Sequence, residues 1–158
     1  MAGAYLAAMP EAPVPQSFVE LLARPNPAVL SFVRFDGTPG SCAIWYGWRD
    51  GRVLLTFDKK RKRLDFIRAD PAVSVTVLDG RSWYRHLVLN GRVAELFDDE
   101  GLRRADELAQ AYIGGPYPQR DAPRIYGWMH VDSWFYWDAH AEVGNLQIRD
   151  TTQPSTRR

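Results

Sequence analysis

The sequence predicts a mainly β (α+β) fold, a small antiparallel barrel with flanking helices, and three observations carry the prediction. Runs rich in Val, Leu and Phe are separated by turn signals at Asp36-Gly37 and Asp50-Gly51. Val73-Ser74-Val75-Thr76-Val77 alternates with period two, which turns its valines to one side and its hydroxyls to the other. Helical spacing is confined to a few stretches, and antiparallel strands with few helices argue for a barrel over a parallel sheet. At 158 residues, 46% of them hydrophobic, the chain suits one domain with one core.

Residues 1–15 carry Pro10, Pro13 and Pro15 and read as an extended arm, which leaves residues 16–140 for the domain and 141–158 for a polar C-terminal tail. Ser17-Phe18-Val19-Glu20 has capping-box spacing, so a short helix is expected from Ser17 until Pro25 and Pro27 disfavour it. Strands follow at Ala28 to Phe35, Ser41 to Trp48 and Arg52 to Phe57. Asp58 reads as the N-cap of a helix closed by Asp70-Pro71. After the alternating valines comes a long strand from Trp83 to Phe97, interrupted at Asn90-Gly91, where glycine suits a bulge. Leu102, Ala105, Leu108, Ala109 and Tyr112 recur at helical spacing, with acids before them and Gly114-Gly115-Pro116 behind. Arg124 to Val131 and Ser133 to Trp137 supply the last strands.

A net charge of +1 leaves no global field to draw the chain onto nucleic acid or an anionic membrane, so any basic site must be local. One cysteine, Cys42, excludes an internal disulfide and fits a reducing, cytoplasmic compartment. No stretch reaches membrane-spanning length. His86, His130 and His140 are scattered singly, with no metal-ligand spacing, and no dinucleotide loop, phosphate loop, zinc-protease pair or serine elbow is present.

The local basic site is Lys59-Lys60-Arg61-Lys62-Arg63, at or beside a helix start. Free backbone N–H groups and the positive end of the macrodipole make such a start a place for phosphate or carboxylate. Aromatic residues cluster at Trp45-Tyr46-Gly47-Trp48, Trp83-Tyr84 and Trp134-Phe135-Tyr136-Trp137. Planar surfaces beside an anion site suit a ligand with a conjugated ring at one end and phosphate at the other.

Here the sequence resembles the split-barrel family of flavin- and deazaflavin-binding proteins related to pyridoxamine 5'-phosphate oxidase. The resemblance rests on Val33-Arg34-Phe35-Asp36-Gly37-Thr38-Pro39, on Ala43-Ile44-Trp45-Tyr46 with Gly51-Arg52-Val53, and on the basic run through Arg68-Ala69-Asp70-Pro71. It continues through Trp83-Tyr84-Arg85 and Asn90-Gly91-Arg92-Val93 to Tyr112-Ile113-Gly114-Gly115-Pro116-Tyr117-Pro118, the segment most like the branch that uses coenzyme F420.

The resemblance implies a six-stranded split β-barrel of the FMN-binding type, a homodimer with coenzyme sites at the subunit interface, and FMN or coenzyme F420 as the coenzyme. Arg61, Lys62 and Arg63 match its phosphate-binding residues, with Arg63 where lysine is usual. Ser41, Cys42, Ala43 and Trp45, with Thr56 and Phe57, match the strands lining the ring. Asp65-Phe66 departs from the Arg-Asn common in the F420-using branch. The expected activity is hydride transfer between the coenzyme and a small conjugated substrate, with Trp83 and Tyr84 bordering the substrate pocket. No residue stands out as a proton donor. The alternative is a carrier that holds the coenzyme without turnover, since anchoring and stacking serve both. A single-stranded nucleic-acid binder is disfavoured by the near-neutral charge.

Overall fold

The computed structural model describes residues 9–139, so His140, the tail expected at 141–158 and the first eight residues of the arm lie outside the described residues. Helix α1 (Gln16–Leu22) starts behind Pro15, whose extended backbone occupies the N-cap position. The expected capping box does not form: Ser17 already lies inside the helix, and the carbonyl of Pro15 accepts from the N–H of Phe18 at 3.0 Å. Leu21 and Leu22 face the core.

Strand β1 (Ala28–Val33) buries alternate residues, Ala28, Leu30 and Phe32. The chain reverses at Asp36, whose carboxylate accepts from the N–H and hydroxyl of Thr38 at 3.0 and 2.6 Å. Strands β2 (Pro39–Ile44) and β3 (Tyr46–Arg49) follow, separated only by Trp45. Asp50 and Gly51 both have positive φ, 51° and 72°, the conformation of a type I′ turn, and lead into β4 (Arg52–Asp58). Helix α2 (Lys62–Ala69) turns Leu64 and Ile67 inward. Strand β5 (Ala72–Asp79) buries its valines as the alternation predicts.

Strand β6 (Ser82–Asp98) spans 17 residues, and its pairing slips at Asn90/Gly91 as the sequence suggested. A Cβ on Gly91 would lie 1.8 Å from the carbonyl oxygen of His130, so the close approach of the two backbones there requires glycine. Helix α3 (Arg103–Ile113) buries Ala105, Leu108 and Ala109. Its start is held by Asp99, whose carboxylate accepts from the N–H groups of Arg104 and Ala105, each at 2.9 Å. The two expected final strands are one, β7 (Arg124–Asp138), with Asp132 bulging from its pairing with β6. The arm bonds to this bulge: Ala12 donates to the Asp132 carbonyl, and Trp134 donates to that of Pro10, each at 3.0 Å.

The strands form one antiparallel sheet in the order β2-β1-β5-β6-β7-β4-β3. Seven strands stand where six were expected, and the difference lies at Trp45. Strands β2 and β3 are consecutive halves of one bent strand, one half pairing with β1 and the other with β4 at the opposite end of the ladder. The sheet is thus a barrel whose ends meet through the chain rather than through a ladder of hydrogen bonds, which is a split barrel. Leu30, Val53, Val75, Leu89 and Met129 fill its interior and are fully buried, and Leu64 and Ile67 of α2 join the same core. A smaller cluster, Leu54, Leu108 and Trp128, seats α3 on the outer face.

Candidate functional site

The basic run divides by where each side chain points. Asp58 is not the N-cap of α2: its carboxylate accepts from the N–H of Lys60 at 2.9 Å and its carbonyl from that of Arg61, making a turn that ends before the helix begins. Lys59 pairs with Asp98 at 2.6 Å, and Arg61 is exposed at 3.6 Å from Asp58. Lys62 is exposed at the first helical position, and no side chain caps the helix start. Arg63 is different. It stands one helical turn before the buried Ile67, so it rides on the inward face. Its Nη1 donates to Cys42 Sγ at 3.1 Å, and its Nε is buried with no hydrogen-bond partner.

Arg63 opens onto a cleft of about 830 Å³. Ala43, Ile44 and Trp45 form one wall, at the bend between β2 and β3, and Thr56 of β4 joins them. Tyr112, at the end of α3, and Tyr117, in the loop behind it, form another wall. Arg124, at the start of β7, reaches the same space, and among the described residues no Asp or Glu lines it. Trp45 and Tyr112 stack with centroids 5.3 Å apart and planes 13° from parallel, while Tyr117 meets Trp45 edge-on at 6.2 Å.

The loop carrying Tyr117 is fastened from α3. Asp106 accepts from the N–H of Tyr117 at 2.8 Å and from the guanidinium of Arg120. Those two contacts, the Arg120 bond foremost, hold the Asp106 carboxyl below its ordinary range. Tyr112 donates its hydroxyl to the carbonyl of Asn26 at 2.7 Å. Burial pushes its phenol up to about 12, so it keeps its proton at neutral pH.

Of the residues singled out in the sequence, Ala43, Trp45, Thr56 and Arg63 line this cleft, and Cys42 touches it through Arg63. Ser41 is exposed and Phe57 is 1% exposed in the barrel core, on the opposite side of β4 from Thr56; neither lines the cleft. Arg61 and Lys62 stand at the helix start outside it. Trp83 and Tyr84 stack on each other at 3.9 Å at the start of β6, away from the cleft, with Trp83 54% exposed. Arg124 was missed. Only the pairing of β7 with β4 brings it beside Thr56, and nothing local in the sequence marks it.

The residues present fit an anionic ligand with a planar part. Two arginines with unpartnered buried Nε atoms, in a cleft that no acid among the described residues lines, favour negative charge, and the stacked rings offer a flat apolar surface. Among the described residues, no group of three His, Cys, Asp or Glu is placed to hold a metal ion, and no helix is long and apolar enough to cross a membrane.

Residues 14–138 match the family model described as pyridoxamine 5'-phosphate oxidase. No curated protein matches significantly. Among solved structures, an F420 reductase is 31% identical, with a TM-score of 0.71, and the match covers 77% of this chain and 98% of that one. A conserved hypothetical protein from Mycobacterium tuberculosis, 22% identical with a TM-score of 0.67, is covered to 96% by 93% of this chain. A FAD-binding protein from Mesorhizobium loti shares the fold at 16% identity and a TM-score of 0.53, over 77% of this chain and 92% of that one.

Proposed function

The chain belongs to the pyridoxamine 5'-phosphate oxidase family, and on that premise we propose that it is an oxidoreductase using coenzyme F420 or FMN to reduce or oxidise a small conjugated organic molecule. The observation that carries the proposal is Arg63. It lines, with Trp45 and Tyr112, a cleft that no acid among the described residues lines, and it keeps a buried Nε without a partner. F420 is favoured by the 31% identity to an F420 reductase and by the Tyr112 to Pro118 segment, whose tyrosines wall the cleft.

Arg63 would hold the coenzyme's phosphate, with Arg61 and Lys62 drawing the anion toward the uncapped start of α2. Ala43, Trp45 and Thr56 would wall its ring, the small Ala43 side chain leaving room along β2. A bound coenzyme of this kind supplies hydride transfer, and the protein supplies position and electrostatics. The Tyr112 hydroxyl does not move a proton near neutrality, because it is spent on the Asn26 carbonyl and remains protonated. In a homodimer, Trp83 and Tyr84 would reach a substrate from the partner subunit, since they lie away from the cleft of their own chain.

Absorbance and fluorescence titrations with FMN and F420, run separately, test the proposal. Saturable binding of at least one is expected, with affinity lowered at least tenfold, about 1.4 kcal/mol, by neutralising Arg61 and Arg63 together. Unchanged affinity in that double variant removes the phosphate from this site. Reoxidation of the bound reduced coenzyme by an added enone or quinone distinguishes an enzyme from a carrier.

A further inference from the structure

We propose that Asp106 is a positioning residue of the cleft: it latches the loop of residues 114–123, a movable wall whose opening governs how fast the ligand leaves. The identity of that ligand rests on the coenzyme reading above. The loop supplies Tyr117, Pro118 and Gln119 to the lining of the cleft. Among the described residues, the N–H of Tyr117 is the one backbone group of residues 115–122 bonded outside the loop, and its acceptor is the Asp106 carboxylate at 2.8 Å. The same carboxylate accepts from the guanidinium of Arg120, which also donates to the Tyr117 carbonyl at 3.4 Å. One side chain of α3 thus gathers two points of the loop.

The walls opposite have no such freedom. Ala43 stands in β2, which is paired at every residue with β1, and Thr56 in β4, which is paired at every residue with β7. The loop is built differently. Pro116, Pro118 and Pro123 have no N–H to bond and fix φ, so the segment moves as one stiff piece. At its near end Gly114 has a φ of 70°, and no atom lies within 4 Å of where a Cβ would stand on Gly114 or Gly115, so the backbone can turn there without meeting a packed neighbour. At its far end the Pro123 carbonyl is fixed by the N–H of Lys59 at 3.0 Å. Behind it, residues 120–124 border a second hollow of about 400 Å³ whose other side is residues 98–102, which leaves room for the loop to withdraw.

Asp106 is placed to act on the loop and on little else. Its side chain is 34% exposed, while the core face of α3 is Ala105, Leu108 and Ala109, so its removal opens no cavity, and alanine suits a helix interior. Its pair with Arg120 lies at the surface and holds weakly in water. The bond from the Tyr117 N–H to a charged acceptor is the stronger hold. Tyr117 has two further ties, the bond its hydroxyl accepts from Arg124 at 2.8 Å and its edge-on contact with Trp45. Those fix the ring, whereas Asp106 fixes the backbone that carries it. A segment with so few bonds opens more readily than the sheet beside it, and such openings set release rates at ligand sites.

Two measurements test the latch in the wild-type chain, Asp106→Ala and Asp106→Asn. Amide exchange of the unliganded protein is expected to show Tyr117 protected about tenfold or more relative to Gly115 and Gln119, after correction for intrinsic rates. That protection is lost in Asp106→Ala and kept in Asp106→Asn, whose amide oxygen still accepts from the Tyr117 N–H. Release of bound FMN or F420, followed by stopped flow, is expected to be about fivefold or more faster in Asp106→Ala and within about twofold of wild type in Asp106→Asn. The urea midpoint stays in place, whereas a merely structural role would move it and leave the release rate alone. A Tyr117 amide that exchanges like its neighbours in wild type, an unchanged release rate in Asp106→Ala, or release as fast in Asp106→Asn as in Asp106→Ala overturns the latch and leaves the coenzyme reading intact. Wild-type protein that binds neither coenzyme overturns that reading, and amide exchange then decides the latch by itself.

Discussion

Asp79 closes β5 with its side chain buried, and it shows how a single carboxylate ties a hairpin together. Burial alone pushes its acidity toward the neutral form, but the N–H of Arg81 at 2.9 Å and the guanidinium of Arg85 outweigh it and hold the carboxyl below its usual range. A folded-state value below the unfolded one contributes stability above about pH 4 and loses it as the pH falls through the folded value. Asp79→Asn should therefore be less stable than wild type at pH 7, with the gap narrowing at pH 3, as read from urea midpoints. A gap independent of pH assigns Asp79 a packing role only. At this scale Arg63 and Arg124 also show what a sequence displays. Arg63 sits in a run of five cations that advertises an anion site, and its four-residue spacing from Ile67 explains its inward turn. Arg124 has a proline before it and an isoleucine after it, and its meaning comes only from Thr56, 68 residues away.

Elements were legible where the signal was their own and obscure where it belonged to a neighbour. Asp50-Gly51 adopts the paired positive φ that this dipeptide favours, and the valines of β5 face inward as their alternation requires. Asp58 before a polar helical run looks like a cap, yet a carboxylate two residues from an N–H forms a turn just as readily, and here the turn wins. Ser17 and Glu20 have the right spacing for a cap, but Pro15, already extended, takes the position first. The break in β6 was foreseen at Asn90-Gly91, and its cause is contact with the His130 carbonyl rather than a turn. Gly91→Ala is accordingly expected to destabilise the protein by at least about 1–3 kcal/mol, the cost of overpacking, because the clash is with backbone that cannot rotate away. Chemical denaturation measures it, and a loss under about 0.5 kcal/mol would mean that the strands part easily.

For the whole molecule, the match over residues 14–138 shows the family, but the way the barrel's ends meet had to be seen. At residues 10–12 the chain is bonded to the bulge of β7, with Glu11 bridged to Ser133. A chain of 18.0 kDa with Trp83 and Phe135 exposed is expected to sediment at twice that mass. Coenzyme at a hundredfold excess over its dissociation constant should stabilise the fold by about 2.7 kcal/mol, seen as a rise in melting temperature. A monomeric mass at micromolar concentration would leave Trp83 and Tyr84 without a substrate to reach. Trp45 joins the two halves of the bent strand and also walls the cleft. The residue through which the barrel is shut is thus also the one a guest would press upon, so occupancy there would bear on both rims of the seam together.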